Sequence, residues 1–222
     1  MPLIFVQDID TETRLGLWRI ADELHIDEVC PQMVCEELKQ KCEKRRKETI
    51  AVYALLHAMT GRANFIIEHN TDGKPQLNDY FISISHTKGY ASIIMSKNKE
   101  VAIDIEYRNN RVFRIVDKFI TKQEQIMLKE LTHLDVSTLR TMDIVASATD
   151  CYDAQTALLL CWCAKETMYK YFSEHRLMFD EMQNELKEIK PQGTFDCLNL
   201  RHNIRHSIRY IQNEEFILTY TV

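Results

Sequence analysis

The spacing of apolar and polar positions changes period several times along the chain, and the changes mark its elements. Leu3 to Ile9 reads as an opening strand. Leu15, Trp18 and Leu24 then recur at helical spacing, which predicts a helix capped by Asp10 or Thr11. A second helical region runs from Pro31 to Met59, with Gly61 in the position favoured at a helix C-cap. Asn64 to His69 predicts a strand and Asn70-Thr71-Asp72-Gly73 a turn. Phe81 to His86 alternates as a strand, and Thr87-Lys88-Gly89 leads into a return strand from Tyr90 to Met95. Arg114 to Phe119 reads as helical, and Thr121-Lys122-Gln123-Glu124 has the form of a capping box, a structural role for Glu124. A loop with some helix is expected from Thr132 to Tyr152, a long helix from Ala154 to Phe172 and a short helix within Leu177 to Ile189. Ile204, His206, Ile208 and Tyr210, then Phe216, Leu218, Tyr220 and Val222, alternate about Asn213-Glu214 as a terminal hairpin. The mixture predicts an α+β protein.

Two stretches carry candidate chemistry. In Val101-Ala102-Ile103-Asp104-Ile105-Glu106 the period of two puts Asp104 and Glu106 on one side of a strand, roughly 7 Å apart. Two such carboxylates suit a solvent-facing edge strand, or a hard divalent cation such as Mg²⁺, which takes carboxylate oxygens and water. In the helix, Trp162, Glu166 and Lys170 recur every four residues and share a face. A Glu–Lys pair at that spacing decorates many exposed helices. The tryptophan on the same stripe argues that this face is partly buried, with a third carboxylate and an ammonium beside it. A basic block, Lys39, Lys41, Lys44, Arg45, Arg46 and Lys47, fits a solvated surface.

Composition narrows the picture. At 222 residues with 45% hydrophobic positions, five Gly and four Pro, the chain reads as compact and globular. A net charge of −5 gives no electrostatic case for nucleic acid. Seven cysteines with no C-x-x-C pair fit free thiols in a reducing cytosol, and Cys161 and Cys163 point in different directions on their helix. The apolar start is too short for a signal peptide, and no window approaches the ~20 apolar residues of a membrane span. A soluble cytoplasmic protein is expected. The polar turn Ser96-Lys97-Asn98-Lys99 divides it into halves at 1–98 and 99–222.

Val-Ala-Ile-Asp-Ile-Glu followed by Trp-Cys-Ala-Lys-Glu-Thr-Met-Tyr-Lys resembles the bipartite signature of 4′-phosphopantetheinyl transferases. The resemblance is to the large, single-chain type that activates surfactin synthetase. Gly73-Lys74-Pro75 and Phe81-Ile82-Ser83-Ile84-Ser85-His86 are similar to two further family motifs. The resemblance implies two similar α+β halves packed as a pseudo-dimer, with the coenzyme A elements in the first half and the metal carboxylates in the second. It implies Mg²⁺ on Asp104, Glu106 and Glu166, and coenzyme A held by Gly73, Lys74, Pro75, Ser85, His86 and Lys165. One of Lys44, Arg45 and Arg46 would meet the 3′-phosphate. Four departures are visible: Ala102 where the family pattern has Gly, Tyr53 where it often has Arg, Thr87 for a Ser, and Ser173-Glu174-His175-Arg176 in place of a Gly-rich turn.

The implied reaction moves the phosphopantetheine arm of coenzyme A onto a serine of an apo acyl or peptidyl carrier protein and releases adenosine 3′,5′-bisphosphate. Lys170 would neutralise charge on the phosphates, and Glu166 or a water would take the serine proton. A monomer that binds neither nucleic acid nor membrane is expected. Two alternatives stay open: a catalytically silent coenzyme A-binding protein, which Ala102 and Tyr53 permit, and a Mg²⁺-dependent nucleotide pyrophosphatase, which the carboxylates alone allow.

Overall fold

The computed structural model describes residues 2–20, 30–138 and 148–222. They form a mixed α+β protein of two compact units, Met1–Ile105 with Val222, and Glu106–Thr221. The division falls inside one strand, β7 (Ala102–Tyr107).

In the first unit, β1 (Leu3–Asp8), β2 (Thr13–Arg19), β5 (Phe81–Thr87) and β6 (Tyr90–Ser96) make an antiparallel sheet in the order β1-β2-β6-β5. The helix expected after Asp10 is therefore a strand, and Leu24 lies outside the described residues. Its apolar spacing misled because both faces are buried. Leu15 and Leu17 are enclosed on one face, while Gly16 and Trp18 turn to the other and meet a helix. Asp10 serves the hairpin turn instead, accepting a hydrogen bond from the Glu12 N–H at 2.9 Å.

The region from Pro31 to Met59 is two helices, α1 (Gln32–Leu38) and α2 (Glu43–Thr60). The break lets Val34 and Leu38 of α1 fold back onto Ile50 and Tyr53 of α2, which one straight helix cannot do. Gly61 ends α2 in the left-handed region at φ 71°, a conformation that costs a β-carbon. The next face of α2, with Ala51, Leu55 and Met59, packs on Trp18, Ile82, Ala91 and Ile93 of the sheet. The approach is close: a methyl on Gly16 would stand 2.7 Å from Met59 Sδ and 2.8 Å from Leu55 Cδ1. Of the strand expected from Asn64, only β3 (Glu68–His69) forms; it pairs with β4 (Pro75–Gln76) around the Asn70–Gly73 turn.

In the second unit one long helix packs on a five-stranded sheet. Strands β8 (Met182–Glu185), β9 (Gln192–Asn199), β10 (Ile204–Gln212) and β11 (Phe216–Thr221) pair antiparallel, in the order β7-β11-β10-β9-β8. The terminal hairpin is β10–β11. The short helix expected between Leu177 and Ile189 is a 3₁₀ turn (Phe179–Glu181) followed by β8. Alternation was hidden there because a polar residue, Asn184, takes an inward position between Met182 and Leu186. The helical stretch near Arg114 is α3 (Arg111–Arg114) and a 3₁₀ turn (Val116–Lys118). Next come α4 (Lys122–Thr132) and the 24-residue α5 (Ala148–Tyr171), while residues 139–147 of the expected loop lie outside the description.

Helix α5 is buried nearly all round from Ala154 to Met168, so its core includes a charge. Lys165 is 0% exposed. Its ammonium donates to Glu124 Oε2 at 2.7 Å and to the carbonyls of Phe119 and Phe179. Glu124 is equally buried and completes the capping box of α4 with Thr121. Its other oxygen accepts the backbone and side-chain N–H groups of Asn184 at 2.9 and 2.8 Å. The network joins four segments and leaves each charge fully hydrogen-bonded, the condition for burying it.

Breaking such a pair strands the other charge, at a cost of about 3–5 kcal/mol. Lys165→Met is expected to lower stability to urea by that amount, and Glu124→Leu with Lys165→Met to recover part of it. A single variant as stable as the parent would remove the pair from this role.

Candidate active site

Strand β7 presents the first carboxylates. Its Asp104 is 6% exposed, so a solvent-facing edge strand is excluded. The backbone explains how it is held. The Ile103 N–H donates to Ser83 Oγ at 3.2 Å and the Ile105 N–H to Ser85 Oγ at 3.3 Å, so alternate serines of β5 stand in for carbonyls. Ser85 Oγ in turn donates to Asp104 Oδ1 at 2.9 Å. The hydroxyl expected at the coenzyme is thus engaged with the carboxylate strand. This use of alternate serines was not legible from either motif alone.

On the second unit's side, Glu106 is half-buried and lines a small cavity of about 60 Å³ with Asn109, Arg111, Leu159 and Trp162 among its walls. The chain leaves β7 through Arg108, whose guanidinium donates to Thr156 Oγ1 at 2.8 Å, Gln212 Oε1 at 2.6 Å and the Asn213 carbonyl. It also lies 4.2 Å from the centre of the Tyr152 ring. Burial pushes its pKa below the usual arginine value, against the pull of neighbouring acids. These bonds tie the end of β7 to α5 and to the terminal hairpin.

On α5, Trp162 is wedged edge-to-face between Phe119 and Phe179, with ring centres 5.2 Å away on each side. Glu166 and Lys170 follow on the same stripe, both partly exposed. The expected partial burial of this face is therefore present at the tryptophan. Lys165 departs from expectation. It cannot lie at coenzyme A, because its ammonium is enclosed in the core network described above.

The basic residues fall into separate groups. Arg45 Nη1 stands 2.9 Å from Glu48 Oε2, Lys44 Nζ 3.9 Å from Glu48 Oε1, and His86 Nδ1 3.7 Å from the same oxygen. Glu48 thus joins the N-terminal turns of α2 to the end of β5. Sequence reading passed over it as one acid in a basic block, although its i,i+3 and i,i+4 spacing from Arg45 and Lys44 was a usable signal. Arg46 is exposed, and Lys47 pairs with Glu43 at 2.8 Å. Gly73, at φ 81°, and Pro75 shape the β3–β4 turn, and the Lys74 ammonium lies 2.6 Å from Glu100. Tyr53 is core: its hydroxyl accepts the Ile67 N–H at 3.2 Å, and burial raises its pKa.

A model of the 4′-phosphopantetheinyl transferase superfamily matches residues 100–221, more than half of the chain. The chain belongs to that superfamily. No curated protein matches it. The matched region spans Asp104, Glu106, Glu166 and Lys170 of this transferase-family chain, and begins beyond Glu48 and His86.

Superfamily membership brings a divalent cation into question. The donors fit in kind, because Asp104, Glu106 and Glu166 offer only hard carboxylate oxygen, the ligand Mg²⁺ prefers. Among the described residues, no three His, Cys, Asp or Glu side chains stand gathered as a ready metal site. The described cysteines, Cys30, Cys35, Cys42, Cys161, Cys163 and Cys197, are free thiols. Burial pushes the Cys161 thiol up and that of Cys197 to about 12, which suits packing and not metal binding. Also among the described residues, no helix is long and apolar enough to cross a membrane.

Ser85→Ala would leave the Ile105 N–H without its acceptor and take a donor from Asp104. Leaving a buried polar group unsatisfied costs about 1–3 kcal/mol, which a shift in the urea midpoint at unchanged slope would report. A shift no larger than that of an exposed Ser→Ala control would show that the hydroxyl does not brace the strand.

Proposed function

We propose that the chain transfers 4′-phosphopantetheine from coenzyme A to a serine hydroxyl of an apo acyl or peptidyl carrier protein, with Mg²⁺, releasing adenosine 3′,5′-bisphosphate. The proposal extends to holo-carrier synthase activity of the large single-chain, surfactin-activating type, with its paired halves. It also takes the protein to act as a cytoplasmic monomer. The observation that carries it is the superfamily match over residues 100–221, which spans both halves of the signature in order.

The cation would be held by Asp104, Glu106 and Glu166, where it would withdraw charge from the pyrophosphate as a Lewis acid. The protein's own groups do the rest. Ser85 fixes one oxygen of Asp104. Gly73, Lys74, Pro75 and His86, with Lys44, Arg45 and Arg46, take the nucleotide end of coenzyme A. Lys170, one helical turn beyond Glu166, neutralises charge that grows on the departing phosphate. The serine oxygen bonds to the phosphorus that carries the pantetheine arm, and the bond from that phosphorus to the adenosine 3′,5′-bisphosphate oxygen breaks. The serine proton passes to Glu166 or to a water it orients.

Incubation with Mg²⁺, coenzyme A and a panel of apo carriers, followed by mass spectrometry, is expected to show phosphopantetheine added to one or more of them. Asp104→Ala, Glu166→Gln and Lys170→Ala should stay folded and bind coenzyme A, yet load at least a hundred-fold less carrier, about 2.7 kcal/mol of transition-state stabilisation. Omission of Mg²⁺ should stop loading by the parent. Release of adenosine 3′,5′-bisphosphate at the same rate without carrier would make the protein a hydrolase. Binding without release across the panel would make it a silent binder.

A further inference from the structure

Glu48 has no part in the reading above, yet among the described residues Lys44, Arg45 and His86 all come within 4.0 Å of its carboxylate. It is 6% exposed, whereas Lys44 and Arg45 are solvent-accessible. A helical Glu–Arg pair on an open surface is commonplace and worth little. Two features set this one apart. The carboxylate is buried, and its third neighbour, His86, comes from the end of β5, far away in sequence. A buried carboxylate must keep its countercharges, because an uncompensated one is costly in the interior. Glu48 therefore holds Arg45 in one pose and draws the helix and the strand end to a common point.

The pose has a chemical consequence. A guanidinium presents five N–H donors in a rigid fork, and a single nitrogen, Nη1, is engaged with Glu48 Oε2 at 2.9 Å. With that corner fixed, the other donors are preorganised for a second oxyanion. Lys44 and His86, each within 4.0 Å of Glu48 Oε1, flank the same point. We propose that Glu48 is the positioning residue of a phosphomonoester site built from Arg45, Lys44 and His86, and that it sets the preference for coenzyme A over 3′-dephospho-coenzyme A. This inference rests on the nucleotide reading above. It selects Arg45 and Lys44, and not Arg46, as the residues of the basic block that meet the 3′-phosphate.

The opposite effect is physically available and makes the idea testable. If Glu48 were only a competing anion, its removal would strengthen phosphate binding. If it were only packing, its removal would affect both ligands alike. Titration calorimetry of the full chain with coenzyme A and with 3′-dephospho-coenzyme A separates these cases. The parent is expected to favour coenzyme A by roughly ten- to a hundred-fold, the worth of charge-assisted bonds to one phosphate. Glu48→Gln keeps the shape and removes the charge. It should cut that preference at least five-fold while binding of the dephospho ligand holds within two-fold. Arg45→Lys keeps the charge but not the fork and should act alike, which preserves the test should Glu48→Gln fold poorly. In a double-mutant cycle, Glu48→Gln and His86→Ala should be non-additive in the preference. An unchanged or enlarged preference in Glu48→Gln, or in Arg45→Lys where the first variant does not fold, overturns the role of Glu48. A parent that binds both ligands equally overturns the phosphate site itself, and the proposal with it.

Discussion

The ion pair between Lys165 and Glu124 fixes how α5 is turned about its axis, and the candidate chemistry depends on that rotation. An α-helix advances about 100° per residue, so a side chain pinned in the core sets where its neighbours point. Lys165 cannot rotate outward without breaking three hydrogen bonds, nor stay inside without Glu124. With Lys165 inward, Glu166 emerges at the boundary of the core, on the stripe of Trp162 and Lys170. A leucine at 165 would bury as readily, but an apolar contact tolerates a slip that a triply bonded ammonium does not. The pair also reaches beyond the helix. Through Thr121 and Asn184 it anchors α4 and β8 to the same point. The fold thus uses a costly group where orientation matters most.

The first unit meets the same demand by different means. Its β7 segment lends no ammonium to the core; hydroxyls of Ser83 and Ser85 bind its backbone, and one of them binds Asp104. Side chains that replace carbonyls specify register as strictly as a ladder does, because alternate N–H groups must meet alternate serines. Arg108 closes the other end of the strand against α5 and the terminal hairpin. Both carboxylates of β7 therefore sit on backbone restrained before and after them. Asp104 is oriented by a neutral hydroxyl, that of Ser85.

Much of this was legible in the residues, and the failures share a cause. The strand at 101–106, the hairpin at its end of the chain, the cap at Gly61 and the capping box at Thr121 were visible because local chemistry decides them. The helix expected over Leu15 and Trp18 was a strand because its two faces are both buried, which erases the period of two. Strand β8 was missed because Asn184 points inward to serve Glu124. The resemblance implied Lys165 at the coenzyme, and nothing local announces a buried partner forty-one residues away. Glu48 failed in the opposite sense: its partners were in view, but its burial was not. Sequence patterns report what neighbours do, and each of these residues is defined by a distant contact.

The two departures that leave room for a retired enzyme, Ala102 and Tyr53, bear on how much this chain differs from its relatives in function. Along the face of β7 that carries the carboxylates, exposure rises in order: Ala102 is fully enclosed, Asp104 is 6% exposed and Glu106 is half-buried. The strand climbs from the core toward the surface, and its extra methyl sits at the deep end. There it adds packing contact and does not intrude on groups that a ligand can reach. Tyr53 is likewise enclosed, its ring among Cys30, Val34, Leu38 and Ile50 and its hydroxyl on the Ile67 N–H. An arginine in that place would bring a charge into an apolar cluster. The lysines and arginines of α2 stand instead in its N-terminal turns, where Lys44 and Arg45 lie with Glu48. Both departures are changes of core packing, because the methyl at 102 and the ring at 53 are each enclosed.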